Sequence, residues 1–265
     1  AVQVLRPLRQ AHRAPRDPLS TWQPAMGATN PADAQSAGFP IARGVTGPRG
    51  PQPSDGEPPR RLASPVLTAA VRAVDAVREA VGPRAWDGLV HRGCSVGARG
   101  AGPAAAPLLL RAERGGWELL RAQVVVDGRL VTHELARLVG EAPVPAASAP
   151  PCQEVPQGAR TWFLRARDVA DWAAWSGDRN AVHRVPGAAR AAGLAVGEGA
   201  VVAHGMCLAA IALGLRGAEP RGVRLRFLAP CAVTGDAVVP LWWEETTGLL
   251  CSPQGPHLRL LARGA

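Results

Sequence analysis

Residues 199–217 read GAVVAHGMCLAAIALGLRG, and this stretch decides the fold class. From Met206 to Leu215 the segment is apolar on nearly every side, which is typical of a helix that is buried on most of its surface. Strand-like stretches follow the helix at 222–233, 236–246 and 256–264. A buried helix followed by antiparallel strands that can wrap around it predicts an α+β fold.

A similar arrangement is predicted earlier in the chain. Ser64, followed by proline, is a plausible N-cap, and apolar residues then recur at helical spacing until Gly82 stops the helix. Between residues 107 and 140 the period changes to that of strands, with glycine turns at 115–116 and 127–128. We therefore expect a helix followed by a three-stranded antiparallel meander.

Two segments have the composition of unstructured chain. Residues 1–62 are rich in Pro, Gly and Arg without any apolar period, and we expect them to be disordered. Their first stretch holds four Arg before its first acid, which resembles an organelle transit peptide, although a flexible tail is the simpler interpretation. Residues 141–159 form a Pro/Ala-rich linker between structured units at 63–140 and 160–265.

Charge and cysteine content exclude several function classes. The net charge is +9, but the arginines are dispersed and no aromatic platform lies between them, so nucleic-acid binding is not expected, whereas an anionic small ligand is compatible. No apolar run is long enough to span a membrane. The five cysteines lack metal or disulfide spacing, which favours a reducing compartment, cytoplasmic or, with a transit peptide, mitochondrial. Neither a cofactor nor a metal is expected.

The stretch WSGDRNAVHR, residues 175–184, concentrates groups that can move a proton. In isolation S-G-D-x-N is an ordinary turn, in which Asp and Asn bond their own backbone. The alternative is that Asp178 and His183 converge on one water, with Asn180 orienting one of them or capping backbone groups. Spacing alone does not decide which of the two is the acid and which the base.

This stretch, the AHGM of residues 203–206 and the RFLAPCAVTGD of residues 226–236 together resemble the MaoC-like (R)-specific enoyl-CoA hydratases. The resemblance implies a hot-dog fold, here a double hot dog whose reduced first unit has lost its site. The chain departs from the family pattern at three places. Ala181 stands where the family usually has proline, and Trp175 is bulkier than the usual aliphatic residue. Arg184 and Val185 replace a segment that commonly carries an acidic residue after the histidine. Ala181 removes a fixed φ from the loop.

The resemblance also implies roles for individual residues. Asp178 and His183 would be the acid–base pair, and the backbone N–H of Gly205, at a helix start, would stabilise charge on the thioester oxygen. The supporting positions are Ser176, Gly177, Asn180 and His204. His204 alone is more simply a helix-start histidine satisfied by its neighbours. His91 and His133 are interpreted as structural, and a metal held by Asp178, His183 and His204 is not expected.

The sequence thus predicts a hydratase or dehydratase that interconverts trans-2-enoyl and (R)-3-hydroxyacyl thioesters of CoA or acyl carrier protein in fatty-acid metabolism. The alternative is a non-catalytic hot-dog subunit that binds thioesters or supports an active paralogue. A homodimer is compatible with either hypothesis.

Overall fold

The computed structural model describes residues 64–100, 102, 106–140 and 154–263, together with a parallel pair of two-residue strands, β1 (Gly27–Ala28) and β6 (Ala146–Ala147). Apart from that pair, the predicted disordered segment and most of the predicted linker lie outside the described residues. No helix in the described part of the chain is long and apolar enough to cross a membrane.

The first helix, α1 (Pro65–Val81), has the ends that the sequence predicts. Ser64 Oγ accepts a hydrogen bond from Leu67 N (3.2 Å), and Gly82 ends the helix with a φ of +86° while its N–H bonds the carbonyl of Arg78. The short helix α2 (Pro83–Trp86) follows at once. Seven apolar residues of α1, between Val66 and Val77, are buried, so this helix contributes to the core along most of its length.

Four strands complete the N-terminal half of the chain. The meander was predicted correctly, with turns at 115–116 and 127–128, but the preceding strand was not anticipated. Two register shifts and a polar start, His91-Arg92, break the alternation by which a strand is recognised. The strands are β2 (Val90–Arg99), β3 (Leu108–Arg114), β4 (Trp117–Val126) and β5 (Arg129–Leu138).

The C-terminal half begins with a strand and a helix and then enters the polar loop. Its elements up to the buried helix are β7 (Thr161–Arg165), α3 (Ala166–Ser176), a 3₁₀ turn (Ala181–His183), α4 (Ala188–Ala191) and β8 (Ala200–Val202). The remaining elements are α5 (Gly205–Arg216), β9 (Gly222–Phe227), β10 (Ala232–Thr234), β11 (Val238–Glu244), β12 (Leu249–Ser252) and β13 (Gly255–Arg263).

The stretch 222–233, predicted as one strand, is two strands that belong to different sheets. β9 lies in the main sheet, whereas β10 pairs with β8 in a small sheet of its own. Pro230 lies between them, and proline cannot donate to a strand ladder, so the chain leaves the main sheet there. The strand β12 was also missed.

The nine-stranded sheet has the order β3-β4-β5-β2-β9-β13-β12-β11-β7, and every neighbouring pair is antiparallel. From the central β2:β9 pair outward, the N-terminal half reads β2-β5-β4-β3 and the C-terminal half reads β9-β13-β12-β11. In each half the first main-sheet strand after the long helix is therefore central, and the fourth, third and second strands follow it outward. In the described residues only the C-terminal half adds a further edge strand, β7. The predicted α+β class, with an antiparallel sheet around a central helix, is confirmed.

One continuous apolar core lies between the sheet and the two long helices, which pack against each other. Every residue from Met206 to Leu213 of α5 is buried, as the sequence predicts. Because α1 lies beside α5, the segment from α2 to β2 reaches the polar loop between α3 and α5. The candidate site is therefore built at the junction of the two halves.

Candidate active site

The loop after α3 is held in a fixed shape by its own backbone. Gly177 ends α3 with a φ of +63°, a conformation that favours glycine. Asn180 then caps the 3₁₀ turn, since its Oδ1 accepts a hydrogen bond from Val182 N (3.4 Å). Ser176 Oγ accepts from the N–H of Asp178 at 3.4 Å. These local bonds turn both Asp178 and His183 inward, where each is buried.

Within the described part of the chain, one oxygen of the Asp178 carboxylate accepts hydrogen bonds and the other accepts none. Oδ1 accepts from the indole Nε1 of Trp86 (3.1 Å) and from the N–H of Asn180 (3.0 Å). Two donors on one oxygen fix the rotation of the carboxylate. Oδ2 is left facing His204, whose Nε2 lies 4.0 Å away.

His183 presents an unprotonated nitrogen to the site. Its Nδ1 lies 2.7 Å from the carbonyl oxygen of Val202. A carbonyl can only accept, so Nδ1 carries the proton and Nε2 of the neutral ring carries the lone pair. Burial lowers the pKa of His183, while the charge of Asp178 and the bond to Val202 oppose that shift. The ring is therefore neutral and ready to accept a proton at Nε2.

Residues of the N-terminal half hold the loop from the other side. Asn180 donates from Nδ2 to the carbonyl of Leu89 (2.7 Å) and accepts at Oδ1 from Gly88 N (3.2 Å). The N–H of Ala181 donates to Asp87 Oδ1 at 3.2 Å. A proline at position 181 could not make that bond. Alanine in place of the family's proline at position 181 therefore allows a hydrogen bond between the two halves of the chain.

Among the described residues no neighbour hydrogen-bonds the ring nitrogens of His204, which contradicts the interpretation that its neighbours satisfy it. The residue precedes α5 but its side chain makes no capping bond; its ring stacks on that of His183, with ring centroids 3.7 Å apart at 24°. Its side chain is 3% exposed, and neither ring nitrogen has a hydrogen-bond partner among the described residues. Burial lowers the pKa of His204 strongly, and the neighbouring His183 and His91 lower it further.

These groups line a small pocket, which gives the centre of a water molecule about 20 Å³ of space. That is enough for one water and not for an acyl chain. The N-terminal half contributes four of the lining residues and the C-terminal half six. They are Val71, Val74, Asp75, His91, Trp172, Ser176, Asp178, His183, His204 and Met206.

Two of the N-terminal lining residues change the interpretation of that half. His91, interpreted from the sequence as structural, faces the pocket; His133 beside it contacts the carbonyl of Ala70 at 3.1 Å in the core. Asp75 lies at the pocket with Arg78 bound to it at 2.6 Å. Burial raises the pKa of Asp75, and the charge of Asp178 adds to the rise while Arg78 opposes it. The N-terminal half therefore supplies polar groups to the site.

Gly205 is the first residue of α5, where the backbone N–H has no acceptor within the helix. A Cβ at this position would lie 3.0 Å from the ring of Phe227 and 3.2 Å from Cβ of His91, so any side chain here would have to displace one of these neighbours. Gly205 borders the pocket through His91 and is not one of its lining residues. Its role as a donor to a thioester oxygen stays a prediction.

Asp178, His183 and His204 each offer one ligand atom within 4.8 Å of the others, which raises the question of a metal. Ligands about 2.1 Å from a tetrahedral zinc ion lie about 3.4 Å apart, whereas His204 Nε2 and Asp178 Oδ2 are separated by 4.0 Å. The geometry fits a hydrogen-bonded water better than a metal ion.

Comparisons with known proteins identify the fold. No protein-family model matches the chain, and no curated relative matches it. Among solved structures, the chain is similar to HtdX from Mycobacterium tuberculosis, with 23% identity and a TM-score of 0.53 over 77% of this chain and 88% of that one. It is also similar to a MaoC-like dehydratase, with 12% identity and a TM-score of 0.50 over 74% of this chain and 81% of that one.

The fold implied by the resemblance of residues 175–184, 203–206 and 226–236 is confirmed, and the chain has the hot-dog fold of the MaoC-like dehydratases.

Proposed function

We propose that the chain is a hydratase or dehydratase that adds water to trans-2-enoyl thioesters to give (R)-3-hydroxyacyl thioesters, and catalyses the reverse reaction. The observation that carries the proposal is the pairing of two acceptors at a water-sized pocket: the uncommitted Oδ2 of Asp178 and the unprotonated Nε2 of His183. Both groups lie on the loop that the sequence resemblance singles out. Similarity to a protein named a MaoC-like dehydratase supports the same reaction class.

The reaction needs a bound water, a side chain that accepts and returns a proton, and a second side chain that orients the water and stabilises the charge on the first. A water bound between Asp178 and His183 gives one proton to Nε2 of His183 as its oxygen bonds the β-carbon of the enoyl thioester. The electron pair of the double bond moves to the α-carbon and the thioester oxygen. The imidazolium then returns a proton to the α-carbon, so that water has been added in full. The carboxylate of Asp178 stabilises the imidazolium while it exists.

The negative charge that develops on the thioester oxygen needs donors. The start of α5 supplies free backbone N–H groups, of which that of Gly205 is our candidate, and the positive end of the helix dipole. Dispersed arginines and a net charge of +9 suit an anionic carrier such as CoA or a phosphopantetheine-bearing protein. Such substrates place the reaction in fatty-acid metabolism.

The alternative function is a non-catalytic subunit that supports an active paralogue, and the small size of the pocket, which has no room for an acyl chain, is the observation that favours it. Crotonyl-CoA separates the two. The purified chain should consume crotonyl-CoA and yield (R)-3-hydroxybutyryl-CoA, with a variant carrying Asp178→Asn and His183→Ala purified in parallel to measure any contaminating host hydratase. Turnover no greater than that of the double variant would support the non-catalytic subunit and refute the enzyme.

A further inference from the structure

His204 has two polar nitrogens in a buried site and no hydrogen bond among the described residues for either of them. A buried polar group without a partner is costly, and native structures rarely contain one without an ordered water or a ligand beside it. The ring does not cap α5, and its stacking on His183 uses its face and leaves the nitrogens free. A partner at the pocket would remove that cost for Nε2, the nitrogen that lies 4.0 Å from Oδ2 of Asp178.

The spacing of the three polar residues fits a single water. One nitrogen from each histidine and one oxygen of Asp178 lie within 4.8 Å of one another. When three atoms are no more than that distance apart, some point lies within about 2.8 Å of all three. A separation of about 2.8 Å is a usual hydrogen-bond distance. The pocket that these residues line has room for one water.

The donors and acceptors also balance around that water. Oδ2 of Asp178 and Nε2 of His183 can only accept, so together they use both protons of the water. A water bound so still has two lone pairs. One of them can accept a hydrogen bond from a third group, and the other must stay free to attack carbon.

We propose that His204 is this third group, a positioning residue whose Nε2–H donates to the water that Asp178 and His183 activate. The inference rests on the proposed function and extends it, because it assigns the water three fixed neighbours and a single lone pair for attack. The face of the water that meets the β-carbon is then set by the protein before the substrate arrives. The neutral state of His204, which has one N–H to give, agrees with its strongly lowered pKa.

Two variants of the full-length chain test the proposal. His204→Gln keeps an N–H donor near the position of Nε2, whereas His204→Phe keeps a ring that can stack on His183 and removes the donor. We expect His204→Phe to lower kcat on crotonyl-CoA by about 10- to 100-fold with little change in KM, and His204→Gln to retain most of the activity. A merely structural role predicts the opposite order, since phenylalanine preserves the buried ring better than glutamine does.

Crystal structures of the wild type and both variants, at a resolution that shows waters, give a readout that does not depend on turnover. The proposal expects a water in contact with Asp178, His183 and His204 in the wild type, retained in His204→Gln and lost in His204→Phe. Activity of His204→Phe at or above that of His204→Gln would overturn it, as would wild-type turnover with no water at His204. A wild type that holds the water and does not hydrate crotonyl-CoA would refute the proposed function and leave the water site in place.

Discussion

Replacing Trp86 by phenylalanine tests whether the N-terminal half takes part in the site. The indole Nε1 donates to Oδ1 of Asp178 at 3.1 Å, and both side chains are buried. A hydrogen bond to a charged acceptor is worth about 1.5 to 3 kcal/mol. Phenylalanine keeps most of the ring and removes the donor, so the variant loses this bond together with the packing of part of the ring.

Trp117→Phe is the matched control. Trp117 is 3% exposed, close to the 4% of Trp86, but it packs in a separate apolar cluster and its Nε1 has no partner among the described residues. Urea unfolding of both variants should therefore give a free energy of unfolding that is lower for Trp86→Phe than for Trp117→Phe by about 1.5 to 3 kcal/mol. The difference between the variants compares an indole N–H that donates to Asp178 with one that has no partner among the described residues, while each variant loses similar buried area.

The same pair of variants reports on catalysis. Without the indole donor the carboxylate of Asp178 is held by the N–H of Asn180 alone and can rotate away from the water. We expect kcat on crotonyl-CoA to fall by about 10-fold or more in Trp86→Phe, and to stay within about 2-fold of wild type in Trp117→Phe. Equal stability and equal kcat in the two variants would refute the reasoning.

Three further predictions follow from the contacts. Burial lowers the pKa of His133 and of His257 to about 4, so between about pH 6.5 and pH 4 the unfolded chain binds protons that the folded chain does not. The free energy of unfolding should therefore fall as the pH drops through this range, by up to about 1.4 kcal/mol per pH unit for each histidine. A pH series of urea unfolding that shows no fall would contradict this prediction. Asn180→Ala removes three hydrogen bonds and should lower the free energy of unfolding by about 2 to 4 kcal/mol, which thermal unfolding can check against wild type. A fragment of residues 155–265 would expose the edge of β9 that pairs with β2, and light scattering should show aggregation or self-association; a soluble, fully active monomer would contradict the shared sheet.

Local signals made much of the fold predictable. The helix α1 has a serine cap, a following proline and a terminal glycine, and the structure uses all three. The buried helix α5 was visible as a run of apolar residues on every side. The strand β2 was missed because its bulges break the alternation, and 222–233 was read as one strand because the run of apolar residues hides the exit from the sheet at Pro230.

The site divides in the same way. Asp178, Asn180 and His183 were found because they lie within one short loop whose pattern is recognisable. The donors that hold this loop come from more than 90 residues earlier, at Trp86 and Gly88, and no local pattern marks them. The position of His204 at a helix start was predicted, but the direction of its ring was not, because packing against His183 sets that direction and propensity does not.

The central claim is that Asp178 is part of the group that activates water for addition to an enoyl thioester. The most direct measurement is kcat/KM on crotonyl-CoA for Asp178→Asn, with the exposed Asp171→Asn as a control that removes a charge from the neighbouring helix α3. We predict a loss of about 10²- to 10⁴-fold for Asp178→Asn with an unchanged circular dichroism spectrum, and activity within about 2-fold of wild type for Asp171→Asn. Near wild-type kcat/KM in a folded Asp178→Asn variant would contradict the account.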